Sequence, residues 1–84
     1  MRHGREIDKE EFLDLLRKGS VHFYNDYEDI VYKAIIDINV GKVRYFAKII
    51  GRGQEYEVFK ETSNVLMDTL QQIILITEED YNKA

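Results

Sequence analysis

The chain contains no cysteine and no proline, and it has no long apolar run. Without cysteine it cannot form a disulfide framework, a thiolate nucleophile or a cysteine-ligated zinc site, so packing alone must hold the fold. A membrane-spanning helix needs about 18 consecutive apolar residues, and the sequence has no such run. The chain starts with charged residues rather than an apolar signal region. These absences predict a cytoplasmic protein that has no membrane contact.

The composition is that of one small globular domain. A chain of 84 residues can build one hydrophobic core but not two, so residues 1–84 are predicted to form a single domain. Apolar residues make up 44% of the chain and charged residues 33%, which is typical of a folded protein rather than a disordered one. Residues 1–6 and 78–84 are predicted to be mobile or frayed ends.

The first helix has the clearest signals in the sequence. Asp8 is followed three residues later by Glu11, which is the pattern of a capping box. Ile7 and Phe12 occupy the positions of the hydrophobic staple around this cap. Gly19 is suited to end the helix, because glycine adopts the left-handed backbone conformation that often follows a last turn.

Four segments with a two-residue period follow this helix, as expected for strands with one buried face. They cover residues 21–24, 30–38, 43–50 and 55–59. A second helix is predicted from Thr62 or Ser63 to about Ile74, although the β-branched run over 73–77 also fits a strand. The sequence therefore predicts an α+β domain of order α-β-β-β-β-α. Its N- and C-terminal helices pack on a four-stranded antiparallel meander sheet.

Neighbouring strands can be aligned by requiring their apolar residues to share a face, because a one-residue slip moves every side chain to the opposite face. This alignment predicts Ile38 opposite Val43 in the first hairpin and Ile49 opposite Tyr56 in the second. The face that becomes apolar throughout is called the inner face, and the opposite face is called the outer face. Two ion pairs predicted on the outer face are Asp37 with Arg44 and Lys48 with Glu57.

The outer face carries apolar residues where a solvated sheet face would be polar. The predicted register aligns Ile35, Phe46 and Phe59 across three strands, and Val31 and Ile50 lie beside them. Either a helix of the same chain or another molecule must cover this stripe. We expect another molecule, because small α+β domains often keep their helices on one face of the sheet. The five apolar residues are the predicted interface, and the four ion-pair residues are its polar rim.

Residues for catalysis or metal binding form no pattern in the sequence. His3 and His22 are the two histidines, and neither has partners at the spacing of a catalytic triad or a metal site. We interpret both as ordinary surface residues. The acidic stretch over 25–29 lacks the spacing of a calcium loop and is interpreted as a turn. No enzyme activity, metal or cofactor is therefore predicted. The favoured function is a small non-enzymatic module that associates with itself or binds and regulates another protein.

Two uneven charge distributions support alternative functions. Residues 31–52 contain five basic residues and one acidic residue, so the central hairpin could contact nucleic-acid phosphates. Residues 53–84 contain seven acidic and two basic residues, which would suit an inhibitor of a nucleic-acid enzyme of the kind that phages and mobile elements carry. A salt-bridged sheet surface and an ordinary solvated surface explain the same distributions, so both functions rank below protein binding.

Overall fold

The structure is a computed structural model that describes residues 4–84. The strands in this part of the chain are β1 (Arg5–Ile7), β2 (Val21–Asn25), β3 (Ile30–Asp37), β4 (Lys42–Ile49), β5 (Glu55–Val58) and β6 (Ile73–Ile76). The helices are α1 (Lys9–Lys18), α2 (Asn64–Thr69) and α3 (Glu78–Lys83). The strands form one antiparallel sheet in the spatial order β1-β6-β2-β3-β4-β5.

The small α+β fold with an antiparallel sheet is confirmed, and the predicted meander is present as β2, β3, β4 and β5. The prediction of four strands between two helices is too simple. Two further strands, β6 and β1, extend the sheet beyond β2, and a third helix follows β6. None of the helices in residues 4–84 is long and apolar enough to cross a bilayer.

The first helix, α1, begins and ends where its sequence signals predict. The carboxylate of Asp8 accepts a hydrogen bond of 2.8 Å from the backbone N–H of Glu11, which satisfies one free N–H group of the first turn. Ile7 and Phe12, on either side of this cap, are buried in one cluster. Gly19 follows the last turn with a φ of 153°, which residues with a Cβ rarely adopt.

The main core lies between the inner face of the sheet and the helices α1 and α2. Phe12 and Leu16 of α1 and Leu66 of α2 are buried in it. The buried sheet residues of this core are Ile7, Val21, Phe23, Tyr32, Ala34, Tyr45, Ala47 and Ile73. Within the strands, residues of this set are two apart, so all of them project to the same side of the sheet. Both helices therefore cover the inner face.

The predicted strand registers are wrong by two residues in both hairpins. Val43 is paired with Ile36, and Tyr56 is paired with Ala47. A two-residue shift keeps every side chain on its predicted face, so the apolar inner face is as expected although each cross-strand pair differs. Hydrophobic alternation alone does not distinguish registers that differ by two residues.

The turn between β3 and β4 explains the shift in the first hairpin. The carbonyl oxygen of Asp37 accepts hydrogen bonds from the N–H groups of Val40 and Gly41, at 3.3 and 2.8 Å. Gly41 has a φ of 66°, in the left-handed region that favours glycine. Because Gly41 is the last residue of the turn, Asp37 and Lys42 become the closing pair of the hairpin. Turn geometry rather than hydrophobicity therefore determines this register.

The segment after α2 is a strand, whereas the sequence analysis favoured a helix to about Ile74. α2 is capped as predicted by the hydroxyl of Ser63, but it ends at Thr69. β6 then lies between β1 and β2 and pairs with both. Ile73 is consequently buried on the inner face and Ile76 on the outer face, and burial on two faces is typical of a central strand.

The last helix, α3, lies on the outer face of the sheet. Thr77 caps it by accepting a hydrogen bond of 3.0 Å from the N–H of Asp80. Tyr81 is its buried residue and packs with side chains of β2, β3 and β6. The structure therefore contains a helix in the segment 78–84. The predicted mobility of both chain ends stays a prediction, and part of the N-terminal segment, with His3, lies outside the described residues.

Candidate functional site

The centre of the outer face is covered by α3 through Tyr81. The ring of this tyrosine lies with Tyr24, Val31 and Ile76 in a second buried cluster. Its hydroxyl donates a hydrogen bond of 2.7 Å to the carboxylate of Glu55. Burial raises the pKa of Tyr81, while this hydrogen bond lowers the pKa of Glu55. The phenol is therefore protonated and the carboxylate charged at neutral pH.

The predicted outer-face interface is not one exposed surface in the structure. Val31 is buried beneath α3, and Ile50 packs against the buried cluster that contains Val31 and Tyr81. Ile35 and Phe46 are half-buried. Phe59 is exposed and lies just after β5. In the observed register Phe46 faces Lys33 on β3 and Glu57 on β5. A helix of the same chain thus covers part of the stripe for which the sequence analysis expected another molecule.

His22 is buried, which corrects its interpretation as a surface residue. β2 places it on the outer face, where its ring centroid lies 5.2 Å from that of Tyr81. Burial lowers the pKa of His22, an effect that the charge of Glu78 opposes and that of Lys33 assists. The covering helix is at the other end of the chain, so no local sequence signal reveals this burial.

We expect the domain to lose stability as the pH falls below about 6.5, the ordinary pKa of histidine. From that pH downward the unfolded chain takes up a proton at His22, whereas the lowered pKa keeps the folded chain neutral there. Protonation therefore favours the unfolded chain, and the free energy of unfolding decreases until the folded-state pKa is reached. Urea denaturation at a series of pH values from about 7 to about 5 measures this slope.

The variant His22→Gln should flatten this slope. Glu55 and Glu57 have pKa values that their partners lower, so these carboxylates titrate below the window and do not produce the slope. The same substitution at the other histidine, His3→Gln, serves as the matched control and should leave the slope in place. A slope that persists in His22→Gln would show that this imidazole is not the titrating group.

Basic side chains of the central hairpin are paired with carboxylates on the outer face. Arg44 donates two hydrogen bonds of 2.9 Å to the carboxylate of Glu57 and lies 3.6 Å from that of Asp37. The predicted ion pair of Asp37 with Arg44 is therefore present. Lys48 faces Glu55 rather than its predicted partner Glu57. This pairing reduces the positive charge that the outer face offers to nucleic-acid phosphates.

An open cleft of about 620 Å³ lies at one end of the sheet, beside the turn between β3 and β4. We call it the hairpin-end cleft, and it is lined by Asp37, Val40, residues 42–45 and residues 57–61. The ladder between β4 and β5 joins residues 45–48 to residues 55–58, and no other strand in residues 4–84 continues it along 42–44. The first residues of β4 therefore present an unpaired strand edge to the cleft.

Apolar side chains at the hairpin-end cleft are unusually exposed. Val40 in the turn is 62% exposed, and Phe59, which also lines the cleft, is 58% exposed. Ile38 belongs to the same turn as Val40 and is 87% exposed. Predicted site residues that line the cleft together are Phe59, Asp37, Arg44 and Glu57. Exposed apolar groups with a charged rim are typical of interaction sites.

Sequence reasoning missed Ile38 and Val40 as candidate site residues. The predicted strand over 30–38 ends with Ile38 on the apolar inner face, and Val40 lies between the predicted strands. The available signal was the turn itself, because two β-branched residues beside Asn39 and Gly41 are unusual in a tight turn. The observed turn places both side chains in solvent.

Within residues 4–84 no group of three or more His, Cys, Asp or Glu side chains could hold a metal ion. No protein-family model matches the chain, and no curated protein or solved structure matches it. The hairpin-end cleft, with its strand edge and its exposed apolar side chains, is therefore the feature that best indicates a function.

Proposed function

We propose that the protein is a small non-enzymatic protein-binding module whose hairpin-end cleft receives an extended segment of another protein. The observation that supports this most directly is the unpaired edge of β4 over residues 42–44, which faces the cleft. Such an edge can exchange backbone hydrogen bonds with an added strand, which is a common mode of peptide recognition. Val40 and Phe59 beside the edge would supply apolar contacts.

The other two sheet edges are also short, since β1 has three residues and β5 has four. β5 carries Glu55 and Glu57, just as the edge over 42–44 carries Lys42 and Arg44, so neither length nor charge separates these edges. The edge over 42–44 differs in its surroundings, because the exposed side chains of Val40 and Phe59 line the same cleft and would contact a bound segment.

A partner protein suits this edge better than a second copy of the chain. In a two-fold symmetric antiparallel pairing centred on Val43, Lys42 of each copy would face Arg44 of the other. Like charges directly opposite each other in a sheet are destabilising. A partner with apolar or acidic side chains at these positions avoids the repulsion, so a different protein is the expected partner.

The variants Val40→Asp and Phe59→Ser should each weaken partner binding at least tenfold, or about 1.4 kcal/mol, because each removes an apolar anchor. Both side chains are exposed, so the free energy of unfolding should change by less than about 1 kcal/mol. The matched control is Tyr27→Ser, which alters a side chain that is 95% exposed in the turn between β2 and β3. The measurement is quantitative capture from cells of the native source, followed by calorimetric titration with the captured protein.

A protein that binds the parent and Tyr27→Ser but not the two cleft variants would support the proposal. Equal binding by all four chains would contradict the assignment of the cleft. Dimers that dissociate in the cleft variants would instead indicate self-association. Affinity for duplex RNA or DNA that falls steeply with salt would favour the nucleic-acid alternative.

A further inference from the structure

A second and more apolar groove lies on the inner side of the molecule, between α1 and α2. Its volume is about 420 Å³, which is within the range of small-molecule sites. We call it the helix groove, and its apolar lining includes Leu13, Leu16, Val43, Met67, Leu70 and Ile73. Leu13 and Met67 are exposed, so the groove opens to solvent between the two helices.

The charged residues that line the helix groove are Lys9 and Lys60, and no carboxylate of the described chain lines it. Neither lysine forms an ion pair with another residue of the segment 4–84. The whole chain carries a net charge of -4, so the charge of this lining is opposite to that of the protein. An apolar groove with cationic side chains is complementary to an amphipathic anion.

Tyr45 offers a further polar group to the helix groove. Its side chain is only 8% exposed, yet its hydroxyl has no hydrogen-bond partner within residues 4–84. A hydroxyl without an internal partner in a residue that lines an open groove is available to donate a hydrogen bond to a ligand. Tyr45 and Lys60 line both the helix groove and the hairpin-end cleft, so both lie where the two depressions meet.

We propose that the helix groove binds a medium-chain fatty acid, whose carboxylate is held by Lys60 and the hydroxyl of Tyr45. The acyl chain lies between α1 and α2, where the lining is apolar. The carboxylate is assigned to Lys60 rather than to Lys9 because Lys60 and Tyr45 lie together where the two depressions meet, so an ammonium and a hydroxyl can bind it jointly. This site adjoins the hairpin-end cleft, with which it shares Val43, Tyr45 and Lys60.

Calorimetric titration of the full chain with octanoate, decanoate and dodecanoate, each below its micelle concentration, tests the apolar part of the site. Each buried methylene should tighten binding about fourfold, so each step of two methylenes should give about a 15-fold gain. Affinity that does not rise with chain length would overturn the proposal. Failure to bind any of the three would overturn it as well, without bearing on capture of a protein partner.

The variants Tyr45→Phe and Lys60→Gln test the carboxylate site. Each should weaken dodecanoate binding at least tenfold, because hydrogen bonds to a charged group are the stronger kind. Neither should alter the weaker binding of dodecanol, which lacks the charge. The matched controls are Tyr56→Phe, at an exposed tyrosine, and Lys18→Gln, at an exposed lysine outside the groove, and each should change dodecanoate affinity less than about threefold.

Removing the nearby charge of Glu61 should change dodecanoate affinity in the opposite direction. Glu61 lines the hairpin-end cleft with Tyr45 and Lys60, so its carboxylate would repel an anion held beside the hydroxyl. Burial and this charge also raise the pKa of Tyr45. Glu61→Gln should therefore tighten dodecanoate binding. Equal binding of dodecanoate and dodecyltrimethylammonium would overturn the proposal, because it would show an apolar surface without carboxylate recognition. Binding to phosphatidylglycerol vesicles but not to monomeric dodecanoate would likewise overturn it.

Discussion

Replacing Phe23 with alanine is expected to lower the free energy of unfolding by about 3 to 5 kcal/mol. Phe23 is completely buried, and its ring stacks on that of Tyr32 at a centroid distance of 5.2 Å. The ring of Phe12 lies nearly perpendicular to that of Phe23 at a centroid distance of 5.8 Å, so Phe23 joins α1 to the centre of the sheet. Truncation of Phe23 leaves a cavity between α1 and the sheet, which these rigid elements cannot close completely. Urea denaturation of parent and variant measures the loss.

The matched control is the same substitution at Phe59, a ring that is 58% exposed. Phe59→Ala should cost less than about 1 kcal/mol, because it creates no enclosed cavity. A domain of this size has a total stability of about 5 to 15 kcal/mol, so Phe23→Ala removes a large part of it. Similar losses in both variants would contradict the described core.

Signals between near neighbours in the chain predict the correct parts of the fold. Asp8 and Glu11 are three residues apart, and the hydrogen bond between them begins α1 at the predicted residue. Alternation along β2 to β5 likewise assigns each side chain to the correct face. These features depend only on local backbone geometry, so they can be inferred from sequence.

Contacts between distant segments produce the parts that the sequence did not reveal. Ile73 and Ile74 fit a helical stripe as well as a strand, and pairing with β1 and β2 selects the strand. The register of the first hairpin depends on the turn that ends at Gly41, because a shift of two residues leaves hydrophobic alternation unchanged. The hydrophobic pattern alone therefore determines neither the strand β6 nor the register of the first hairpin.

The candidate site was also predictable only in part. Phe59, Arg44 and Glu57 belong to the predicted interface and rim, and they line the hairpin-end cleft together with inner-face residues such as Tyr45. Val31 was expected at the interface but lies beneath α3. The sequence shows a short capped turn after Thr77 without showing where that turn docks. Long-range docking, not face assignment, is therefore what the sequence analysis lacked.

Truncating Tyr81 to alanine is expected to detach α3 from the sheet and to lower the free energy of unfolding by about 3 kcal/mol. α3 has six residues, whereas an isolated helix of fewer than about 12 residues is at best marginal in water. The helix therefore depends on docking, and Tyr81, at 1% exposed, is its buried residue. Hydrogen exchange at the amides of α3, together with urea denaturation, measures the detachment.

The variant Tyr81→Phe separates the hydroxyl from the ring. It retains the packing of the ring. It also retains the cation–π contact with the ammonium of Lys48, which lies 5.0 Å from the ring centroid. It removes the hydrogen bond to Glu55, and the expected loss is about 1 to 3 kcal/mol, because that bond has a charged acceptor. This bond is the largest cause of the lowered pKa of Glu55, so the pKa should rise towards its ordinary value in an NMR titration.

The pKa of His22 distinguishes detachment of α3 from a general loss of packing. In the parent, burial beneath Tyr81 lowers this pKa. In folded Tyr81→Ala the imidazole should be open to water, so its pKa should return to about 6.5. Tyr27→Ala, a change at an exposed tyrosine, should leave it low. A His22 pKa that stays low in folded Tyr81→Ala would contradict this expectation, because it would show that the strands bury the imidazole without α3.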